Sequence, residues 1–263
     1  MDNAIVIMAA PAGEVADIAS QAKACVDAGA TLLRLALPAA GKDGLPDAEA
    51  AAAALAALDE ATGDALTPVL PATSTALGPD APQKFIRATR PPAVIVDVRR
   101  LMPDEGDEAL KKARGFFRWL KVMEITPLFL LGKPEDVAFF VRMRAMDYIP
   151  FRRPFLLFEL GAEAPGSENT ADALDAFTAK LDHQPVTWAV CTHGRDEAAV
   201  IFKAVLAGGH VCTGTAFNRS LPDGREARET AALVKAAAGI ISQTGRSPMS
   251  MAETRKILRE AVR

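Results

Sequence analysis

The chain has 263 residues, 24% of them charged and half of them hydrophobic, with a formal net charge of -3. That length suits one α/β barrel or two smaller domains, and without a basic excess neither nucleic acid nor an acidic membrane is expected as a partner. No apolar run reaches the roughly 18 residues needed to cross a bilayer, Met1-Asp2-Asn3 carries no basic leader, and Cys25, Cys191 and Cys212 show no disulfide spacing, so a cytoplasmic protein is expected.

Short apolar runs alternate with longer amphipathic, Ala-rich ones. Ala4–Met8 reads as a buried strand and residues Glu14 to Ala28 as a helix stopped by Gly29. Thr31–Leu37 is a second strand, Asp47–Ala61 a helix with Gly63 beyond it, and Leu66–Leu70 a third strand. A helix Ala81–Thr89 and a strand Ala93–Val98 follow, then a helix Asp104–Val122 and a strand Thr126–Leu131. Lys133–Ala145 reads as a helix with Pro134 in its first turn, and Pro154–Leu160 as a strand. Next come a helix Asn169–Leu181, a strand Thr187–Cys191, a helix Asp196–Leu206 and a strand His210–Thr213. Arg225–Gln243 and Met251–Val262 close the chain as helices.

Eight strand–helix units with continuously apolar strands predict a parallel sheet covered by helices, and at this length a closed (β/α)8 TIM barrel. Nothing in the composition splits the chain, although Gly161–Ser167 is loop-like, so residues 1–263 are expected to form a single domain with one extra C-terminal helix.

Chemistry in such a barrel sits at the C-terminal ends of the strands. Reading those ends collects Arg34, Thr73, Ser74, Asp97, Arg99, Glu159, Cys191, His193, Cys212 and Thr213. No nucleophile triad, Gly-rich phosphate loop or helical H-E-x-x-H is among them. Arg34 is either an anion clamp or the salt-bridge partner of Glu159 or Asp97. Glu159, at the end of an apolar strand, is either an acid–base group with a raised pKa or the partner of an arginine, and His193 is a second catalytic candidate. Asp97 and Arg99 read as substrate contacts or as a solvated rim with Arg100, and Thr73-Ser74-Thr75 as donors to a carboxylate or thioester or as a plain turn. Cys212 stands among the substrate-facing positions, and Cys191, His193 and Cys212 have the donor types of a zinc site, though buried thiols filling the barrel are the simpler reading. His183 lies in a polar loop, and Trp188 is placed in the barrel wall.

Trp188-Ala189-Val190-Cys191-Thr192-His193-Gly194-Arg195 precedes Gly208-Gly209-His210-Val211-Cys212-Thr213-Gly214-Thr215-Ala216-Phe217-Asn218. Glu229 to Val234 and the stretch Gly245-Arg246 to Ile257-Leu258 follow, while Ala22 to Ala30 and Gly41-Lys42-Asp43-Gly44 to Pro46 lie near the start. This sequence resembles the beta-keto acid cleavage enzymes, also called 3-keto-5-aminohexanoate cleavage enzymes, most strongly after Trp188. The resemblance implies condensation of a beta-keto acid with acetyl-CoA to give acetoacetate and an acyl-CoA, on a homo-oligomeric barrel. It also implies a zinc ion held by two histidines after the second strand and by a glutamate after the eighth, and it makes His210 a scaffold residue. Here the family's histidines fall on Arg34 and Ala36, its glutamate on Ala216, its aspartate on Phe217 and its strand-eight arginine on Cys212. Pro38 replaces a further arginine, and the loop Ala10–Gly13 is short. Alanine and phenylalanine cannot ligate zinc, and an arginine puts a permanent cation where the dication would sit.

No cofactor is therefore expected. The anticipated function is metal-independent acyl or carbon–carbon bond chemistry on a small anionic substrate, a carboxylate or a CoA thioester. The alternative is a catalytically silent homologue that binds or scaffolds.

Overall fold

The computed structural model describes residues 3–13, 15–161, 171–181 and 183–263. Ten strands are described: β1 (Ala4–Ile5), β2 (Ile7–Ala9), β3 (Leu32–Arg34), β4 (Thr67–Pro71), β5 (Ala93–Asp97), β6 (Thr126–Leu131), β7 (Phe155–Leu160), β8 (Thr187–Thr192), β9 (His210–Thr213) and β10 (Ser247–Pro248). The helices are α1 (Val15–Asp27), α2 (Ala48–Thr62), α3 (Asp80–Thr89), α4 (Val98–Leu101), α5 (Asp107–Val122), α6 (Pro134–Ala145), α7 (Ala171–Thr178), α8 (Glu197–Leu206), α9 (Thr230–Gln243) and α10 (Met251–Val262). Strands β2 to β9 pair in chain order, all parallel, and β9 returns to β2, so the sheet closes. This is the (β/α)8 barrel that the alternation of strands and helices predicts.

The strands hold both faces in apolar surroundings, as parallel strands under helices must. In β7, Phe155 and Leu157 point into the barrel while Leu156 and Phe158 pack outward beneath the helices. Local signals set the helix ends. Asp47 accepts from the backbone N–H groups of Glu49 and Ala50 at the start of α2, and Ser250 and Glu253 form a reciprocal capping box on α10. Pro134 opens α6, where its missing N–H costs nothing. Among the described residues no helix is long and apolar enough to cross a membrane.

Several predicted boundaries move. The first strand breaks at Val6, whose N–H donates to His210 Nδ1 at 3.1 Å; the two residues before it pair with β10 instead of the barrel. The second barrel strand stops at Arg34, three residues before the predicted Leu37, and residues 35–47 leave the sheet. The helix predicted from Asp104 begins at Asp107, because Asp104 Oδ1 accepts from Gly106 N–H at 2.8 Å in a turn ahead of it. The helix predicted from Arg225 begins at Thr230, because Ser220 pairs with Glu226 and Ala227 N–H donates to Arg219 O at 2.8 Å, folding the chain back on itself. Residues 169 and 170 of the predicted seventh helix, and 162–167 of the predicted loop, lie outside the described residues.

Helix α10 seals the N-terminal end of the barrel. Leu258 and Ala261 are buried with Val6, Leu32, Ala93 and Leu128. Thr254 and Thr31 share a hydroxyl hydrogen bond of 2.9 Å, and Thr126 Oγ1 donates to Leu258 O at 3.1 Å. With that end plugged, the opposite mouth is left for chemistry.

Candidate active site at the barrel mouth

Alternation along the strands decides what reaches the mouth. Leu32, Leu157 and Ala189 face the barrel interior. Two residues on, the same face carries Arg34, Glu159 and Cys191, and a further step along β8 brings His193. The three polar groups meet. Arg34 Nη1 donates to Glu159 Oε2 at 3.1 Å, and His193 Nε2 lies 3.0 Å from Glu159 Oε1. One carboxylate thus bridges a guanidinium and an imidazole. The side chains are 17%, 10% and 32% exposed for Arg34, Glu159 and His193, so the imidazole reaches furthest toward solvent.

Phe217 lies against two of these groups, Arg34 and His193. Its ring lies 5.0 Å from the Arg34 guanidinium carbon and 5.0 Å, edge to face, from the His193 ring. The raised pKa expected of Glu159 is not found: burial alone would push its carboxyl up, but the His193 hydrogen bond and the Arg34 charge outweigh it and hold the pKa below the usual range. Burial likewise opposes the Arg34 charge, and the Glu159 carboxylate more than restores it. The pair is therefore ionised.

The remaining expected residues do not converge on this point. Ser74 Oγ donates to Asp43 O at 2.8 Å and accepts from Ala76 N–H, tying down the loop after β3. Thr73 borders a crevice with Ser74, Asp97 and Arg100. Asp97 caps α4 by accepting from Arg99 and Arg100 N–H. Arg99 pairs with Asp136 at 3.3 Å and stacks on Phe139. In these contacts Ser74, Asp97 and Arg99 serve the fold. Cys212 is fully buried beside Cys191 and Met8, beneath the mouth rather than in it. Burial keeps the Cys191 thiol far above its usual pKa, so no thiolate forms there.

The relocated zinc site on Cys191, His193 and Cys212 does not assemble. His193 is directed at Glu159, and among the described residues no group of three or more His, Cys, Asp or Glu side chains is placed to hold a metal ion. At the positions the resemblance gives to the family's ligands, the Arg34 guanidinium is bonded to Glu159, and Ala36 and Ala216 offer no donor. This donor set does not fit zinc. A cavity of about 540 Å³ opens at the other end of the barrel, between Thr67, Lys121, Thr126 and Arg259, and none of the expected site residues lines it.

Two residues at the mouth carry no signal at strand ends. Glu197, the first residue of α8, is 4% exposed; burial pushes its carboxyl up to about 7, against hydrogen bonds from Asn218 and Thr213. Asn218 Nδ2 donates to Glu197 Oε2 at 3.0 Å. The glycines of the same motifs are steric. A Cβ on Gly209 would lie 2.3 Å from the Trp188 ring, and one on Gly214 would lie 2.2 Å from Ala10 O. Trp188 stacks on Phe158 in the barrel wall, as expected. His210 holds Val6, a scaffold role.

Several solved barrels are similar to this chain. A phospho-2-dehydro-3-deoxyheptonate aldolase from Thermotoga maritima matches with a TM-score of 0.54 at 10% identity, over 92% of this chain and 69% of that one. A dihydrodipicolinate synthase matches with a TM-score of 0.52 at 10% identity, over 98% and 80%. A truncated 3-deoxy-D-arabino-heptulosonate 7-phosphate synthase from Thermotoga maritima gives 0.52 at 13% identity, over 92% and 87%. At these identities the likeness concerns the fold alone. No curated protein sequence matches the chain. Residues 11–259, nearly the whole barrel, match the beta-keto acid cleavage enzyme family. The chain belongs to the beta-keto acid cleavage enzyme family.

Proposed function

We propose that this family member performs metal-independent carbon–carbon bond or acyl chemistry on a small beta-keto acid or CoA thioester. The supporting observation is the carboxylate of Glu159, which accepts from Arg34 at 3.1 Å and holds His193 at 3.0 Å. A carboxylate that orients an imidazole makes it an acid–base group, because it stabilises the imidazolium formed when the ring takes a proton. Breaking or forming a bond next to a ketone moves a proton at carbon and an electron pair onto the carbonyl oxygen. His193 takes that proton. Arg34 has five N–H donors, of which Nη1 serves Glu159, and its fixed charge binds the substrate carboxylate or the oxygen that gains charge. The Phe217 ring covers part of Arg34 and of His193, and removing water from that side strengthens their interactions.

A silent binding homologue is the competing reading, and the same Phe217 cover favours it, since the ring lies over both polar groups. One experiment separates the two. Metal-stripped protein is assayed for acetoacetate formation from acetyl-CoA and a panel of beta-keto acids, beside His193→Gln and Arg34→Met. We expect turnover without added zinc, a loss of about 100-fold or more in His193→Gln, and a raised KM in Arg34→Met. Turnover that needs zinc or survives His193→Gln refutes the mechanism. Acetoacetate binding without turnover establishes the silent reading.

A further inference from the structure

Two loops build the site. The loop between β8 and α8 carries His193, and the loop after β9 carries Phe217. They touch through the backbone, where Gly194 N–H donates to Phe217 O at 3.2 Å. They are also joined by side chains. Glu197 ends the first loop and starts α8; Asn218 follows Phe217 in the second; Asn218 Nδ2 donates to Glu197 Oε2 at 3.0 Å. Asn218 is fixed in turn, since its Oδ1 accepts from Ser220 N–H and its Nδ2 also donates to Ser220 O, both at 2.8 Å.

A carboxyl that is 4% exposed is costly to keep in a fold. Its second oxygen, Oε1, has only the buried hydroxyl of Thr213 beside it, and that contact lacks the geometry of a full hydrogen bond. An aliphatic side chain would fill this space at lower cost, so the carboxyl is explained by the one strong bond it does make. We propose that Glu197 is the positioning residue of the mouth: by holding Asn218 it sets the β9–α9 loop so that Phe217 lies across Arg34 and His193. The Glu197 carboxyl acts on the mouth through its bond to Asn218. This inference rests on the reading of Arg34, Glu159 and His193 as the working site.

The test compares full-length wild type with Glu197→Ala and Glu197→Gln. Glutamine keeps a carbonyl oxygen that Asn218 can bond; alanine does not. Hydrogen exchange is read at the Phe217 and Asn218 amides, both bonded to Gly214 O, and at α8 amides as an internal reference. The chain has three histidines, so the imidazole region of an NMR spectrum is open enough to follow the contact between the His193 and Phe217 rings. In Glu197→Ala we expect exchange at the two loop amides to rise about tenfold or more, the α8 amides to stay near wild type and the ring contact to disappear. Glu197→Gln should restore both the loop exchange and the ring contact. Unchanged loop exchange, an equal rise along α8, or failure of glutamine to rescue overturns the inference. Acetoacetate binding in the same variants tests the underlying reading separately. Loosened loop amides with unaltered acetoacetate affinity keep the positioning role and refute the mouth as the binding site.

Discussion

Glu197→Gln should stabilise the protein, and by more as the pH rises. The carboxyl is 4% exposed, and burial pushes it from 4.5 up to about 7 against the opposing hydrogen bonds of Asn218 and Thr213. Folding therefore disfavours its ionised form by about 3 kcal/mol, taking 1.36 kcal/mol per pH unit of displacement. The sign follows from proton counting. The unfolded chain releases this proton near 4.5 and the folded one near 7, so in between the folded state binds more protons. Stability then falls as the pH rises through that window, and the loss is complete above it. Glutamine carries no charge at any pH and still accepts from Asn218. Urea unfolding of both proteins, from about pH 4 to about pH 8, measures the difference directly. The two curves should converge at the acid end and separate by about 3 kcal/mol at the alkaline end. A difference that stays flat with pH, or a less stable glutamine variant at the alkaline end, would show that the carboxyl is not held against its own charge.

Glu159 should behave in the opposite sense. Its pKa is held below 4.5 because the His193 hydrogen bond and Arg34 outweigh burial, so its contribution is present above 4.5 and is lost as the pH falls below it. Glu159→Gln should flatten the acid limb of the stability curve, and an acid limb of unchanged steepness would count against an ionised bridge. Gly209→Ala places a Cβ 2.3 Å from the Trp188 ring, which is itself stacked on Phe158. Overpacking there should cost on the order of 1–3 kcal/mol, read as a lower Tm, and a wild-type Tm would show that the ring has room to move.

Much of the fold was legible. Strands such as Phe155–Leu160 are apolar at every position except Glu159, which signals burial on both faces and hence a parallel sheet under helices. The break at Val6 was not legible, because it depends on an imidazole more than two hundred positions away in the chain. The early end of the second strand was hidden for a similar reason. Leu35 and Leu37 continue the apolar run, and only the register against β4 shows where pairing stops. Among the candidate groups, Arg34 and Glu159 were visible as charges at the ends of apolar strands. Asp97 and Arg99 looked equivalent, yet a helix cap and a pair with Asp136 account for them. Glu197 gave no warning, since an acidic residue in the first turn of a helix is ordinarily exposed and favourable there.

The sequence by itself determined the barrel, its order of elements and the end of it that carries polar side chains. Those follow from periodicity, which is local: alternating burial along a strand and a repeating face along a helix need no knowledge of distant residues. Motifs in the chain also indicated the family. Only the tertiary structure decided which charges meet. Arg34, Glu159 and His193 come from three different strand ends, and whether they converge depends on barrel closure and stagger, which no local pattern encodes. The Phe217 ring over Arg34 and the buried Glu197 carboxyl bonded to Asn218 belong to the same class of facts, set by packing between loops.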